Sequence, residues 1–252
     1  MNFLHVIILG IVEGITEFLP ISSTAHLQLV ERLLGISSTN FVQSFTLIIQ
    51  VGALFGTALY IWKKRALFKF NWPKIIIACI PTLAVGFVLY TLIKKYFFGN
   101  FTIIAWALIL GGIIMLVAEQ FHQKYIGRQK GISFKKSFLL GLAQALAVIP
   151  GVSRSGAVLV AGYFSHIEKR TLAQFSFLIG LPVAFAASSY DVMKNGFSFT
   201  RNEIGLTMLG VLVAGVFSYF VAGWFLAVIT RFSLRPFAWY RILLGIVILI
   251  LL

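Results

Sequence analysis

Apolar and polar positions alternate along this chain on a coarse scale: long hydrophobic runs are divided by short basic gaps, and two of the runs are broken in the middle by polar residues. Residues 3–34 form the first broken run, where Pro20 and the Ser22-Ser23-Thr24 cluster leave two pieces shorter than the roughly 20 residues a membrane crossing needs. Pro20 cannot continue a helix, and Ser22 or Ser23 suits the N-cap of a second one. The pattern therefore predicts a re-entrant helical hairpin with free backbone N–H groups at its break. Irregular backbone at membrane depth survives only against protein or a water-filled cavity. Unbroken spans are predicted at 42–62, 75–93 and 102–121.

The pattern then starts again near Phe138. At an offset of 131, Leu9-Gly10 falls on Leu140-Gly141, Glu13 on Gln144, and Ser22-Ser23-Thr24-Ala25 on Ser153-Arg154-Ser155-Gly156, while Pro20 and Pro150 differ by one position. Gln43–Ile49 echoes Gln174–Gly180, and further spans are predicted at 174–192, 205–228 and 237–252. The fold class is thus all-α: one membrane domain over 1–252, made of repeats 1–125 and 132–252, with six spanning helices and two re-entrant hairpins. Three crossings per repeat is odd, so the repeats face opposite ways, an inverted-topology plan in which broken helices meet near the midplane.

Composition narrows the class further. With 60% hydrophobic and 11% charged residues, an ordinary soluble domain is excluded. The net charge of +14 does not point to nucleic acid, because the basic residues sit in gaps between spans. Loops 63–74 and 122–136 with Lys169, Arg170, Arg231 and Arg235 carry 14 of them, against five (Arg32, Lys94, Lys95, Lys194 and Arg201) on the other side. The positive-inside rule then puts both termini outside and opens the first hairpin outward, at the extracytoplasmic face of a cell membrane. Trp62, Trp72 and Trp239 fall near span ends, as interfacial anchors do. The apolar run His5–Val12 is interrupted by Glu13 and has no basic start before it, so it does not read as a cleaved signal peptide. The single Cys79 forms no internal disulfide.

The polar breaks carry the candidate chemistry. Glu13 and Glu17 are one helical turn apart, and carboxylates within the bilayer usually face a cavity and work there. Such a pair calls for a cation, which the second hairpin supplies as Arg154. Arg154 with Ser153, Ser155 and the close-approach glycines Gly151 and Gly156 suits a phosphate held at a helix N-terminus. Ser22 and Thr24 belong to the corresponding end in the first hairpin. The competing reading is a satisfied helix kink in which Arg154 merely neutralises a glutamate. Ser23 and His26 are i and i+3, a nucleophile beside a base, whereas His5, His122 and His166 sit near span ends or in loops and read as structural. No oxyanion hole for a carbonyl is visible, so phosphoryl transfer is the simplest chemistry, with Ser23 attacking, His26 as base or acid, Glu17 orienting the imidazole, and Glu13 balancing Arg154 or holding a divalent cation.

These residues resemble a known family, the bacterial undecaprenyl pyrophosphate phosphatases linked to bacitracin resistance. The acidic motif stands as Glu13-Gly14-Ile15-Thr16-Glu17 followed by FLPISSTAH, and the second motif as Pro150-Gly151-Val152-Ser153-Arg154-Ser155. The chain departs from the family pattern at Val158 in place of threonine, at Ala25 in place of glycine, and at Gln174 in place of glutamate. The resemblance implies a membrane hydrolase that removes the terminal phosphate of undecaprenyl pyrophosphate, yielding the lipid carrier reused in peptidoglycan synthesis. It also implies magnesium or calcium as a divalent cofactor, for which the residues themselves offer Glu13 and Glu17 as candidate ligands. The expected partners are the polyprenyl diphosphate and the bilayer, with no nucleic acid, and a homodimer is compatible with them. The rival expectation is a transporter or flippase of an anion or polyprenyl phosphate, since such proteins use the same inverted plan.

Overall fold

In a computed structural model the protein is described over residues 1–65, 71–97, 99–124, 131–195, 199–231 and 233–251. Helices dominate, and among the described residues there is no strand. The first broken run folds as α1 (Phe3–Thr16) and α2 (Ser23–Leu33), followed by α3 (Asn40–Lys63), α4 (Trp72–Leu92) with a π turn at Ile93–Phe97, and α5 (Phe101–Lys124). The second broken run folds as α6 (Phe134–Ala145), a 3-10 turn at Leu146–Val148, and α7 (Arg154–Phe164), followed by α8 (Lys169–Asn195), α9 (Arg201–Arg231) and α10 (Arg235–Leu251). Both hairpin arms begin at positions 131 apart, Phe3 with Phe134 and Ser23 with Arg154. Of the basic residues read as topology signals, Lys69, Arg128 and Lys130 lie outside the described residues.

Five helices, α3, α4, α5, α8 and α9, are long and apolar enough to cross a membrane. The expected sixth crossing is α10, which is described over 17 residues. At a rise of about 1.5 Å per residue it spans about 25 Å, short of a hydrocarbon core of about 30 Å. By length and composition, five helices among the described residues qualify as crossings. Trp62, Trp72 and Trp239 are exposed, as side chains at a bilayer interface would be.

The helices gather into two compact units. One holds α1, α2, α3, α8 from Leu181 onward and α9 up to Trp224. Its core is Val6, Leu9, Leu27, Phe45, Ile49, Ala53 and Ala214. Lipid tails are as apolar as leucine, so helices in a bilayer gain little from hydrophobic burial against each other and rely on close backbone packing and hydrogen bonds. The sequence supplies both here. Gly10 and Gly14 on α1, and Gly52 and Gly56 on α3, are each four residues apart, and a Cβ at any of them would run into α9. Below these crossings the hydroxyls of Thr57 and Ser218 share a buried hydrogen bond of 2.8 Å.

The second unit holds Leu19–Ser22, α4 to α7, α8 up to Gly180, the end of α9 from Phe225, and α10. Here α6 lies against α4 with Gly141 at the carbonyl of Ala78, and Thr82 Oγ1 donates to the Gly141 carbonyl at 3.0 Å. Along α10, Ala238, Arg241, Gly245 and Ile248 are buried, a stripe repeating every three to four residues. It packs on α5 at Gly112, where a Cβ would meet the Ala238 carbonyl, and at Gly245, where one would meet the Ala105 carbonyl.

Candidate active site

The first motif lies where α1 gives out. Glu17 is the C-cap of α1, still in the right-handed helical region, and its N–H donates to the Glu13 carbonyl at 3.0 Å. The two acids are thus one turn apart on a continuous turn of helix, and both are buried, Glu13 with 0% exposure. The chain then reverses so that α2 begins at Ser23, and the Ser23 hydroxyl donates to Glu17 Oε2 at 2.7 Å. A hydroxyl-to-carboxylate hydrogen bond of that length is charge-assisted and polarises the serine oxygen. His26 is buried one turn further along α2. The Glu17 carboxylate, expected to orient the imidazole, accepts from the Ser23 hydroxyl. Ser22 is buried and left-handed, with φ 73, a strained conformation for a residue with a Cβ. Thr24 is half-buried and Ala25 fully buried.

The second motif is a turn followed by a helix start. Val152 N–H donates to the Ile149 carbonyl at 3.0 Å, with Pro150 and Gly151 between them. Gly151 has φ 96, and its absent Cβ would strike the Ile104 carbonyl, so glycine is required twice over. Ser153 is the N-cap of α7 and accepts the Gly156 N–H at 3.1 Å. Arg154 is the first residue of that helix and is half-buried. Ser153 Oγ and Ser155 Oγ are 3.0 Å apart, and both point at the Leu19 carbonyl, at 3.3 and 3.2 Å. These hydroxyls, expected at the phosphate, hold a backbone carbonyl here. Val158 is fully buried, where an apolar side chain is well accommodated.

One charged residue passed unremarked in the sequence. Arg241 lies inside the apolar α10, 2% exposed, and every hydrogen bond described for it goes to a backbone carbonyl. The signal for it was an arginine alone in a span, together with Gly111, which clears its path: a Cβ there would collide with the guanidinium.

Among the described residues no group of three or more His, Cys, Asp and Glu side chains could hold a metal ion. The pair Glu13 and Glu17 still fits a magnesium-type ion, which is commonly held by one or two carboxylates together with substrate phosphates and water.

A family model described as "Bacitracin resistance protein BacA" matches residues 6–247. A protein of Aquifex aeolicus named undecaprenyl-diphosphatase is 42% identical over 96% of this chain and 95% of its own length. Proteins of the same name from Wolinella succinogenes (42% identical, covering 99% of this chain and 98% of the relative) and Fusobacterium nucleatum (40% identical, covering 98% and 99%) are similarly close.

Proposed function

This chain belongs to the bacitracin resistance protein BacA family, and from that premise we propose that it is an undecaprenyl-diphosphatase, a multi-pass membrane hydrolase converting undecaprenyl diphosphate and water into undecaprenyl phosphate and inorganic phosphate. The observation that carries a hydrolytic reading over a carrier is the Ser23 hydroxyl donated at 2.7 Å to the Glu17 carboxylate in a buried helix break. A carrier needs an anion site but no polarised nucleophile. The transporter reading is accordingly not favoured.

In the proposed reaction Ser23 Oγ attacks the terminal phosphorus while its proton passes to Glu17. The bond from that phosphorus to the bridging oxygen breaks, and undecaprenyl phosphate leaves with a proton from His26. Water then hydrolyses the serine phosphate and releases inorganic phosphate. Arg154 holds the non-bridging oxygens of the transferred group, which suits a planar fork of donors better than a point charge. Ser22, Thr24, Gly151 and Gly156 belong to the same phosphate-binding set. A divalent ion, held by Glu13 and Glu17, would neutralise diphosphate charge when bound.

The direct test uses purified full-length protein in detergent with a C55 or shorter polyprenyl diphosphate. Release of inorganic phosphate is expected, and its absence with and without magnesium or calcium would refute the assignment. For orientation we place the first hairpin at the extracytoplasmic face, from the uneven distribution of basic residues. In a Cys79→Ala background, Ser38→Cys should react with an impermeant thiol reagent added to intact cells; reaction only after lysis would invert the topology.

A further inference from the structure

The backbone that separates the two acids from Ser23 is held by side chains that neither touch the nucleophile nor bear the phosphate-binding charge. Residues 19–21 form a tight turn in which Ile21 N–H donates to the Leu19 carbonyl at 2.8 Å, with Pro20 at its centre. Proline's fixed φ lies close to the value an inverse γ-turn requires. The same Leu19 carbonyl is approached by Ser153 Oγ at 3.3 Å and Ser155 Oγ at 3.2 Å. The next carbonyl, that of Pro20, accepts from Arg241 Nη1 at 3.1 Å. Arg241 does not stop there. Its Nη2 donates to the Gly151 carbonyl at 3.0 Å and to the Ala107 carbonyl at 3.2 Å, and its Nε reaches the Leu108 carbonyl at 3.5 Å.

A buried arginine is costly unless its donors are satisfied, so its retention inside an apolar helix asks for a reason. Its geometry gives one. A single rigid, planar fork links the turn of the first motif, at Pro20, to the turn of the second, at Gly151, and anchors both to α5. The two serines grip the first turn through the carbonyl beside it. The turn so held ends at Ser22, whose left-handed backbone is strained and needs its surroundings to fix it. Ser22 is bonded directly to Ser23.

We propose that Arg241, Ser153 and Ser155 are positioning residues that clamp the Leu19–Ser22 turn and thereby fix the start of the helix carrying the nucleophile. This rests on the diphosphatase reading given above, and it gives the two serines a purpose distinct from direct phosphate binding. Lysine at 241 would keep the charge but concentrate its donors on one atom, which cannot span the Pro20, Gly151 and Ala107 carbonyls as the fork does. Ser155 is the cleaner of the two serines to remove, because Ser153 also caps α7.

The experiment measures kcat and KM of full-length Arg241→Lys, Ser155→Ala and the double variant, per mole of monodisperse protein, beside the wild type. Misplacing reacting groups by about 1 Å can cost about a hundredfold, so each single variant should lose about tenfold or more in kcat with KM changed less than about threefold. Because both changes release one clamp, the double variant should be within about threefold of the worse single one. Wild-type kcat in folded Ser155→Ala or Arg241→Lys would overturn the proposal, as would fully additive losses or losses that track the folded fraction alone. If Arg241→Lys does not fold, Ser155→Ala decides by the same kcat criterion. A wild-type control that releases no phosphate would instead remove the diphosphatase premise, and the clamp's catalytic purpose with it.

Discussion

Where the first hairpin carries Glu13, Glu17, Ser23 and His26, the second, 131 residues on, carries Gln144, Val148, Arg154 and Ala157. The helix starts keep the offset, so the two copies share a backbone plan while every acid, the candidate nucleophile and the imidazole stand in one copy only. Two of the polar groups left in the second copy hold structure. Gln144 Nε2 donates to Thr82 Oγ1 at 3.1 Å, and Ser153 caps its helix. The repeat supplies two broken helices with two positive ends; in the proposed reaction bond-breaking falls to one and anion-holding to the other.

The comparison breaks most severely at Ser23. Ser23→Ala should reduce turnover by about 10⁴-fold, because a group that forms the covalent intermediate has no substitute. Phosphate release per folded molecule measures it, and substantial activity would leave water as the nucleophile. Combining it with His26→Ala should add little, since groups acting as one unit are non-additive.

Next comes Glu17, whose counterpart Val148 can accept no proton. Glu17→Gln keeps a hydrogen-bond acceptor for Ser23 at nearly the same shape but removes the base, and a loss of about 10²–10³-fold in kcat is expected. An unchanged kcat would hand the serine proton to another group. Arg154 follows: Arg154→Ala should lose at least about 2 kcal/mol of transition-state stabilisation in kcat/KM, with Arg154→Lys recovering only part of it. Near-wild-type turnover would reduce Arg154 to a structural cation.

Much of this division was legible in the sequence. The break in the first run followed from the inability of Pro20 to continue a helix and from the N-capping chemistry of Ser22 or Ser23, and the matching break in the second followed from the offset of 131. The acids were correctly put on one turn of helix. Less visible was anything that depends on distant parts of the chain. Nothing local says that Ser153 and Ser155 aim at the Leu19 carbonyl, or that Arg241 donates to the Pro20 and Gly151 carbonyls, because those contacts join residues 90 to 221 positions apart. Sequence spacing also paired Ser23 with His26 at i and i+3. The hydrogen bond to Glu17 arises from the chain reversal at residues 18–22, whose geometry no periodicity encodes.

The smallest expected effect on the reaction, and the sharpest on the scaffold, comes from giving the second hairpin the acid of the first. Gln144 is fully buried, and its amide donates to a Thr82 hydroxyl whose own proton already goes to the Gly141 carbonyl. An ionised glutamate there would face the threonine oxygen with no proton to give and would sit uncompensated in an apolar surrounding. In Gln144→Glu the folded protein should therefore hold the new side chain protonated, so that its O–H replaces the lost amide donor. The folded-state pKa then lies above the unfolded one, and the penalty grows as pH rises past the ordinary glutamate value, by about 1.4 kcal/mol per unit. With an unfolded value of about 4.3, the variant should be destabilised by up to about 3.7 kcal/mol at pH 7 and by about 1 kcal/mol at pH 5. Thermal unfolding of wild type and Gln144→Glu in the same detergent at both pH values measures the difference. A gap that does not narrow at pH 5 would mean that the carboxylate finds a partner or water at this position, and that the second hairpin tolerates the charge the first one uses.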